Sequence, residues 1–360
     1  MVPDDYPTIQ EAIDAASPGD TIFVKAGTYY ENVVVDKPVS LEGECMQNTI
    51  IDGKSAGIVV KIVANGVNVT GFTVRKSGYP QCGFLLYYVS GCSITGNIVT
   101  ANDHGGILLY SSSNNSISGN IVTANNENGV VLSDSSNYNV ISGNIIANNH
   151  RGIYLSRSSN NDIFENNITN NDYCVRLDYT SNNKFYHNNF IDNTQQIYVY
   201  MTGYASLWDH GYPFGGNHWS NYNGADLYSG IYRNETGSDG IGDVPYTLDS
   251  YNKDNYPLIA PFNKFEVGTW HGEACIVGII SNSSVFNFQI DTYRRTISFN
   301  VAGLEGEIGF CRIIIPNIIV EDLWHGNYTV LLNGKPWPFK NWTDIENITY
   351  TFLTPTLNNR

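Results

Sequence analysis

From Gly83 to Tyr200, apolar and polar positions alternate in short runs, and the runs recur. The tetrad Gly83-Phe84-Leu85-Leu86 returns as Gly106-Ile107-Leu108-Leu109, Gly129-Val130-Val131-Leu132 and Gly152-Ile153-Tyr154-Leu155. It continues as Cys174-Val175-Arg176-Leu177 and Gln196-Ile197-Tyr198-Val199, with the glycine lost. The steps are 23, 23, 23, 22 and 22 residues. Asparagines keep the same period at Asn97, Asn120, Asn144, Asn166 and Asn188, and again at Asn102, Asn125, Asn148, Asn170 and Asn193. Self-similarity at a fixed period of this size predicts a solenoid. No run is long enough for a helix, and β-branched and aromatic residues favour strands between Ser-Asn-Gly turns. One coil of a parallel β-helix per unit follows, with coils stacked at about 4.8 Å. Equivalent residues then form columns, and Asn97 to Asn188 form a ladder of amides that maintains the fold.

Strand alternation sorts each tetrad. Phe84/Leu86, Ile107/Leu109, Val130/Leu132, Ile153/Leu155 and Val175/Leu177 are expected to point inward. The outward columns hold Tyr87, Tyr110, Tyr154, Arg176, Asp178, Tyr198 and Tyr200, among others. Exposed tyrosines offer faces on which sugar rings stack, and Arg176 and Asp178 can orient hydroxyls or a uronate. A second column lies two residues before each tetrad glycine or its equivalent: His104, Glu127, His150 and Asp172. Histidine is the natural general base near neutral pH, and Arg151 beside it could neutralise a substrate carboxylate. This column is the candidate catalytic group of a lyase, hydrolase or epimerase.

Before the repeats, Thr8-x-x-Glu11 reads as a capping box, with Ile9, Ala12, Ile13 and Ala16 on one helical face and Ser17-Pro18-Gly19 as its stop. A short helix here would plug the open end of the first coil. Strand runs follow at Thr21–Lys25, Val33–Val35 and Val39–Glu42. After Met201, Tyr, Trp, Gly and Asp dominate, and residues 201–262 are expected to cap the other end. Asp226, Asp239, Asp243 and Asp249 are hard oxygen donors in a Gly-rich stretch, the ligand chemistry of a structural Ca2+. Trp208 is expected to pack over the last coil. Residues 263–360 carry alternating runs such as Val285–Ile290 and Thr296–Val301, separated by turn signals such as Asn333-Gly334-Lys335-Pro336. They read as a separate immunoglobulin-like β-sandwich.

Composition narrows the partners. Only 15 % of the 360 residues are charged and the net charge is −15, which argues against nucleic acid and an anionic membrane surface. No apolar run of membrane-spanning length occurs. Glycosylation sequons start at Asn68, Asn114, Asn167, Asn234, Asn282, Asn327, Asn341 and Asn347, which fits an exported chain. The first residues do not read as a signal peptide, which is expected to have been removed. The six cysteines show no Cys-x-x-Cys pattern; Cys275 and Cys311 could pair, whereas Cys82 and Cys92 would sit too far apart.

The stretch "YPTIQEAIDAASPGDTIFVKAGTYYENVVVDKPVSLEGE" resembles the opening coil of pectin-lyase-like right-handed β-helix proteins. With repeats such as "SSNNSISGNIVTANNENGVVLS", the chain resembles the NosD-like group, also called the carbohydrate-binding and sugar-hydrolase β-helix domain. That group often ends in a segment like Gly216-Asn217-His218-Trp219-Ser220-Asn221-Tyr222, Asp239-Gly240-Ile241-Gly242-Asp243-Val244-Pro245-Tyr246 and Asp254-Asn255-Tyr256-Pro257-Leu258. The resemblance spans roughly Pro3 to Phe262. It implies an all-β chain: a right-handed parallel β-helix with a short N-terminal capping helix, followed here by the sandwich. Pectin methylesterases share the opening pattern, but their catalytic signature is missing, so esterase activity is not carried over. NosD is associated with copper delivery; this chain has three methionines and no paired His or Met ligand motif. Two functions are therefore expected to compete: a secreted or cell-surface structural or glycan-binding component, with polysaccharide or other surface proteins as partners, and a polysaccharide-active enzyme.

Overall fold

The computed structural model describes residues 1–200, 205–303, 309–344 and 348–353. The chain divides into two compact units, one of Met1–His210 with Thr247–Asp254, the other of Gly211–Tyr246 with Asn255–Arg360. The boundary falls inside the expected 201–262 cap, and Asp249 lies with the solenoid rather than with Asp226, Asp239 and Asp243. No described helix is long and apolar enough to cross a membrane.

The first unit is a parallel β-solenoid of three sheets. The first sheet runs from Thr21–Val24 to Lys184–Tyr186 and the third from Val33–Val35 to Gln195–Tyr200, each with 8 strands. The second sheet takes one strand per coil from Gly27–Tyr29 to Asn189–Ile191. The described strand pairs of neighbouring coils are parallel and in register; Ile107, for example, lies between Phe84 and Val130. The tetrad residues expected inside are there: Phe84, Leu86, Ile107, Leu109, Val130, Leu132, Ile153, Leu155 and Val175 are all at 0 % exposure. The glycine that opens each tetrad is demanded by close approach. A Cβ on Gly129 would lie 2.6 Å from both the Gly152 carbonyl oxygen and Ile146 Cγ2.

The helix Ile9–Ala15 covers the first coil with Ile9, Ala12 and Ile13, and Thr8 caps it by accepting from Glu11 N–H. The Glu31 carboxylate accepts from the Ile9 and Gln10 N–H groups, where a negative charge is favoured. At the other end Trp208 stacks on Phe185, ring centroids 4.3 Å apart, and donates its indole N–H to Asn252.

The corners are asparagine ladders. Each of Asn97, Asn120, Asn144 and Asn166 donates Nδ2–H to the Oδ1 of the next, ending on Asn188, at 2.9–3.2 Å. A second ladder departs from the second asparagine period at two positions. It runs Asn102, Asn125, Asn149, Asn171 and Asn193, while Asn148 and Asn170 are exposed in the left-handed conformation. A third ladder, Asn115, Asn139, Asn161 and Asn183, was not anticipated. Buried amides persist because each finds partners in the adjacent coils; an unpaired one would cost about 1–3 kcal/mol.

In the second unit, an antiparallel sheet joins Phe262–Trp270, Glu273–Ser281, Cys311–Pro316, Ile348–Leu353 and Lys340–Thr343 in that order. A hairpin of Ser284–Asp291 and Thr296–Ala302 packs Val285, Phe288, Ile297 and Phe299 against the core around Val277, Ile279 and Ile313. The helix Asn317–Trp324 was missed by the reading of this module as strands only; it buries Ile319, Val320 and Leu323 on one face. All six cysteines are free thiols, so Cys275 and Cys311 do not pair. Cys311 sits opposite Ser281, six residues along an extended strand from Cys275, which is about 20 Å and beyond disulfide reach.

Candidate functional site

The outward face of the third sheet carries two aromatic clusters. Near its N-terminal end, Tyr87 and Tyr110 are opposite one another in adjacent strands, and their rings stack with centroids 5.5 Å apart. Tyr88 packs edge-on against both, and Lys61 Nζ lies 5.4 Å from the Tyr87 ring centroid. Strand register causes this: one column of one face is brought to side-chain contact by the coil spacing.

Three coils later the same face carries Tyr154, Arg176 and Tyr198 in one column. The Arg176 guanidinium lies 4.8 Å from the Tyr154 ring centroid and 5.5 Å from that of Tyr198, at cation–π range of both. Asp178 differs from the expectation of an exposed ligand group. It is 5 % exposed, accepts from Arg176 Nε and Nη2, and accepts the Tyr154 hydroxyl at 2.7 Å. Asp178 thus positions the platform from beneath. Burial, then this hydrogen bond, pushes the Tyr154 phenol above its ordinary pKa. Tyr198 and Tyr200 remain exposed.

The column His104, Glu127, His150 and Asp172 stacks coil on coil, as successive backbone bonds show: Asn128 N to His104 O, Arg151 N to Glu127 O, Tyr173 N to His150 O and Gln195 N to Asp172 O. Its side chains divide into pairs. His150 Nδ1 meets Asp172 at 2.8 Å with Tyr173 edge-on to its ring, and Arg151 bonds Glu127 at 2.8 Å. His104 is exposed at the head of the column. The geometry gives a histidine oriented by a carboxylate, but the neighbouring arginine is already neutralised by Glu127.

The aspartates expected to hold Ca2+ accept from backbone N–H groups. Asp226 takes Asp239 N and Gly240 N, Asp239 takes Ile241 N, and Asp243 takes Leu227 N and Tyr228 N. Asp249, in the first unit, takes Tyr251 N and Asn252 N. Burial, with the charges of Asp239 and Asp243, pushes the Asp226 carboxyl up to about 7. Burial also raises Asp239, although Arg312 opposes it. Arg312 is fully buried, donates to the carbonyls of Asp239 and Pro213, and stacks against Trp342 and Tyr350. The sequence gives no sign of it: arginine in the apolar run Phe310–Ile315 carries no partner signal.

The sequence profile of the family described as "Periplasmic copper-binding protein (NosD)" matches residues 13–224. A cell surface glycoprotein of Methanothermus fervidus is 34 % identical over 98 residues, 26 % of this chain. The chain covers 16 % of that relative's length. Similar solved structures include an alginate lyase from Paenibacillus sp. str. FPU-7, with 14 % identity over 58 % of this chain and 94 % of the other and a TM-score of 0.37. A pectin methylesterase from Yersinia enterocolitica shows 14 % identity over 54 % and 82 %, with a TM-score of 0.36. The donor set does not fit the copper of the family's description. Among the described residues no three His, Cys, Asp or Glu side chains gather to hold a metal. Burial raises the thiols of Cys82, Cys92, Cys174, Cys275 and Cys311, Cys82 to about 12, and so disfavours the thiolates that copper would need. The matched span, more than half of the 360 residues and covering the solenoid from its capping helix onward, shows that this chain belongs to the NosD family.

Proposed function

We propose that this is part of an exported, cell-surface protein whose solenoid binds neutral polysaccharide without turning it over. The family description and the surface relative support the location. The observation that carries the binding reading is Arg176, held by Asp178 between the rings of Tyr154 and Tyr198. This is an ordered platform that costs little entropy to present, and tyrosines supply large contact area with two torsions each. Two such clusters on one flat face suit an extended chain of sugars better than a compact ligand. A neutral polymer is favoured over a polyanion because Arg176 is already paired and the protein carries −15 net charge.

A glycan array with the full chain tests this. Binding to a neutral polysaccharide is expected to weaken about tenfold in Tyr198→Ala, the loss of roughly 1.4 kcal/mol, with the far-ultraviolet spectrum unchanged. Preference for uronate polymers, or equal binding by the variant, would reject this reading. One observation favours a second reading, the His150–Asp172 contact: a histidine so oriented can act as a general base. Release of unsaturated or reducing-end products, abolished by His150→Ala, would establish a lyase, hydrolase or epimerase instead.

A further inference from the structure

Asparagine does two opposite jobs in this chain, and the sequon separates them. The ladder asparagines such as Asn97, Asn120, Asn144 and Asn115 are buried, with both amide hydrogens committed, and none of them begins an Asn-x-Ser/Thr triplet. Every described asparagine that does begin one is exposed: Asn68, Asn114 and Asn167 on the solenoid, and Asn234, Asn282, Asn327 and Asn341 in the second unit. Asn347 lies outside the described residues.

The geometry explains how the triplet fits a strand. In Asn68–Thr70 and Asn167–Thr169, Val69 and Ile168 between the two polar residues are fully buried. A spacing of two therefore puts the asparagine and the threonine on the same outward face. Asn68 lies on the first sheet, Asn167 on the second, and Asn114 in the turn between the third and the first. Existing bonds survive substitution at Nδ2. Asn167 uses Oδ1 to accept from Asn189, and Asn68 donates one Nδ2–H to Ser40 and keeps a second hydrogen to lose. No strand of the third sheet contains a sequon.

We propose that Asn68, Asn114 and Asn167 are N-glycan acceptor sites, placed so that glycans cover the first two sheets and leave the tyrosine-bearing third sheet bare. The donor is a lipid-linked oligosaccharide phosphate, used by the transferase of the exporting cell. Nδ2 forms a bond to sugar C1, the C1–O bond to the phosphate breaks, the lipid phosphate departs with the electron pair, and one Nδ2 proton is lost. This placement does not depend on the binding reading above.

The full chain, exported from a host that N-glycosylates secreted proteins, tests it. Enzymatic glycan release in heavy-oxygen water is expected to convert Asn68, Asn114 and Asn167 to labelled aspartate in at least half of the molecules, and to leave Asn97 and Asn120 unlabelled. In the Asn68→Gln, Asn114→Gln, Asn167→Gln triple variant, the intact mass should fall by three glycans. Absence of label at all three positions, while a control glycoprotein from the same cells is labelled, would overturn the proposal. So would label on Asn97 or Asn120 in folded, exported protein.

Discussion

The two units bury polar groups in contrasting ways. In the solenoid's corners, buried polarity is neutral and repetitive: Asn120 accepts from Asn97, donates to Asn144, and also donates to the Ile94 and Ser118 carbonyls. In the second unit it is charged and singular: Arg312 satisfies two carbonyls, and Asp226 and Asp239 lie within electrostatic range of it and of each other. A repeat can satisfy a buried amide by translation, since the next coil supplies the same amide. A globular unit has no next coil, and there a buried donor must reach across the chain. The solenoid's ladders are therefore expected to be indifferent to charge, and the interior of the second unit sensitive to it.

The contrast can be broken at Arg312. Arg312→Ala leaves two buried carbonyls without donors and Asp239 without its countercharge, and should destabilise the second unit by about 3–5 kcal/mol. Hydrogen exchange would show amides such as Ile279 and Ile313 exchanging faster, with those of the Ile107 and Ile153 strands unchanged. Equal loss in both units would refute independent cores. Next in size, Asn120→Leu removes one rung, strands the Asn97 backbone N–H in the core and should cost about 3 kcal/mol. A drop in Tm below 2 °C would mean the ladder is dispensable.

Titration sharpens the comparison, because one carboxyl in each unit shifts in opposite directions. The Asp226 carboxyl, raised to about 7, binds a proton in the folded state that the unfolded state releases near pH 4. Stability of the second unit should therefore fall as pH rises from about 4 to 7. Asp226→Asn should flatten this slope and raise stability at pH 8 by about 1 kcal/mol, after the loss of one acceptor oxygen. In the solenoid, burial raises the Asp52 carboxyl, but the Lys54 N–H, Lys76 and Arg75 outweigh it and hold it below its ordinary value. That contribution is present above the unfolded pKa near 4 and is lost as pH falls through the folded one. Melting curves at pH 4, 6 and 8 on wild type and Asp226→Asn check both signs. The smallest effect expected is that of EDTA. With each of these carboxylates already accepting backbone N–H groups, a Tm shift under about 1 °C is anticipated, and a larger fall would support a structural calcium.

Much of the fold was legible because a solenoid writes its geometry as a period. The tetrad spacing placed Phe84 through Leu177 inside and the tyrosines outside. It also placed His104, Glu127, His150 and Asp172 in one column, as the backbone bonds bear out. The site was legible only as far as columns go. That His150 would turn to Asp172 and Arg151 to Glu127, or that Asp178 would sink beneath Tyr154 and Arg176, depends on side-chain reach between coils. The shift of the second ladder from Asn148 to Asn149 shows the same limit, since two adjacent asparagines compete and only the one facing the corner is buried.

The sequence by itself determined the solenoid, its capping helix and the division of each strand into inward and outward residues, because a repeating pattern carries its own register. Tertiary structure alone decided the members of the second and third ladders, the Arg176 platform, the free cysteines and the burial of Arg312. These pairings join residues with no fixed spacing between them, and only the distances set by packing select the partner.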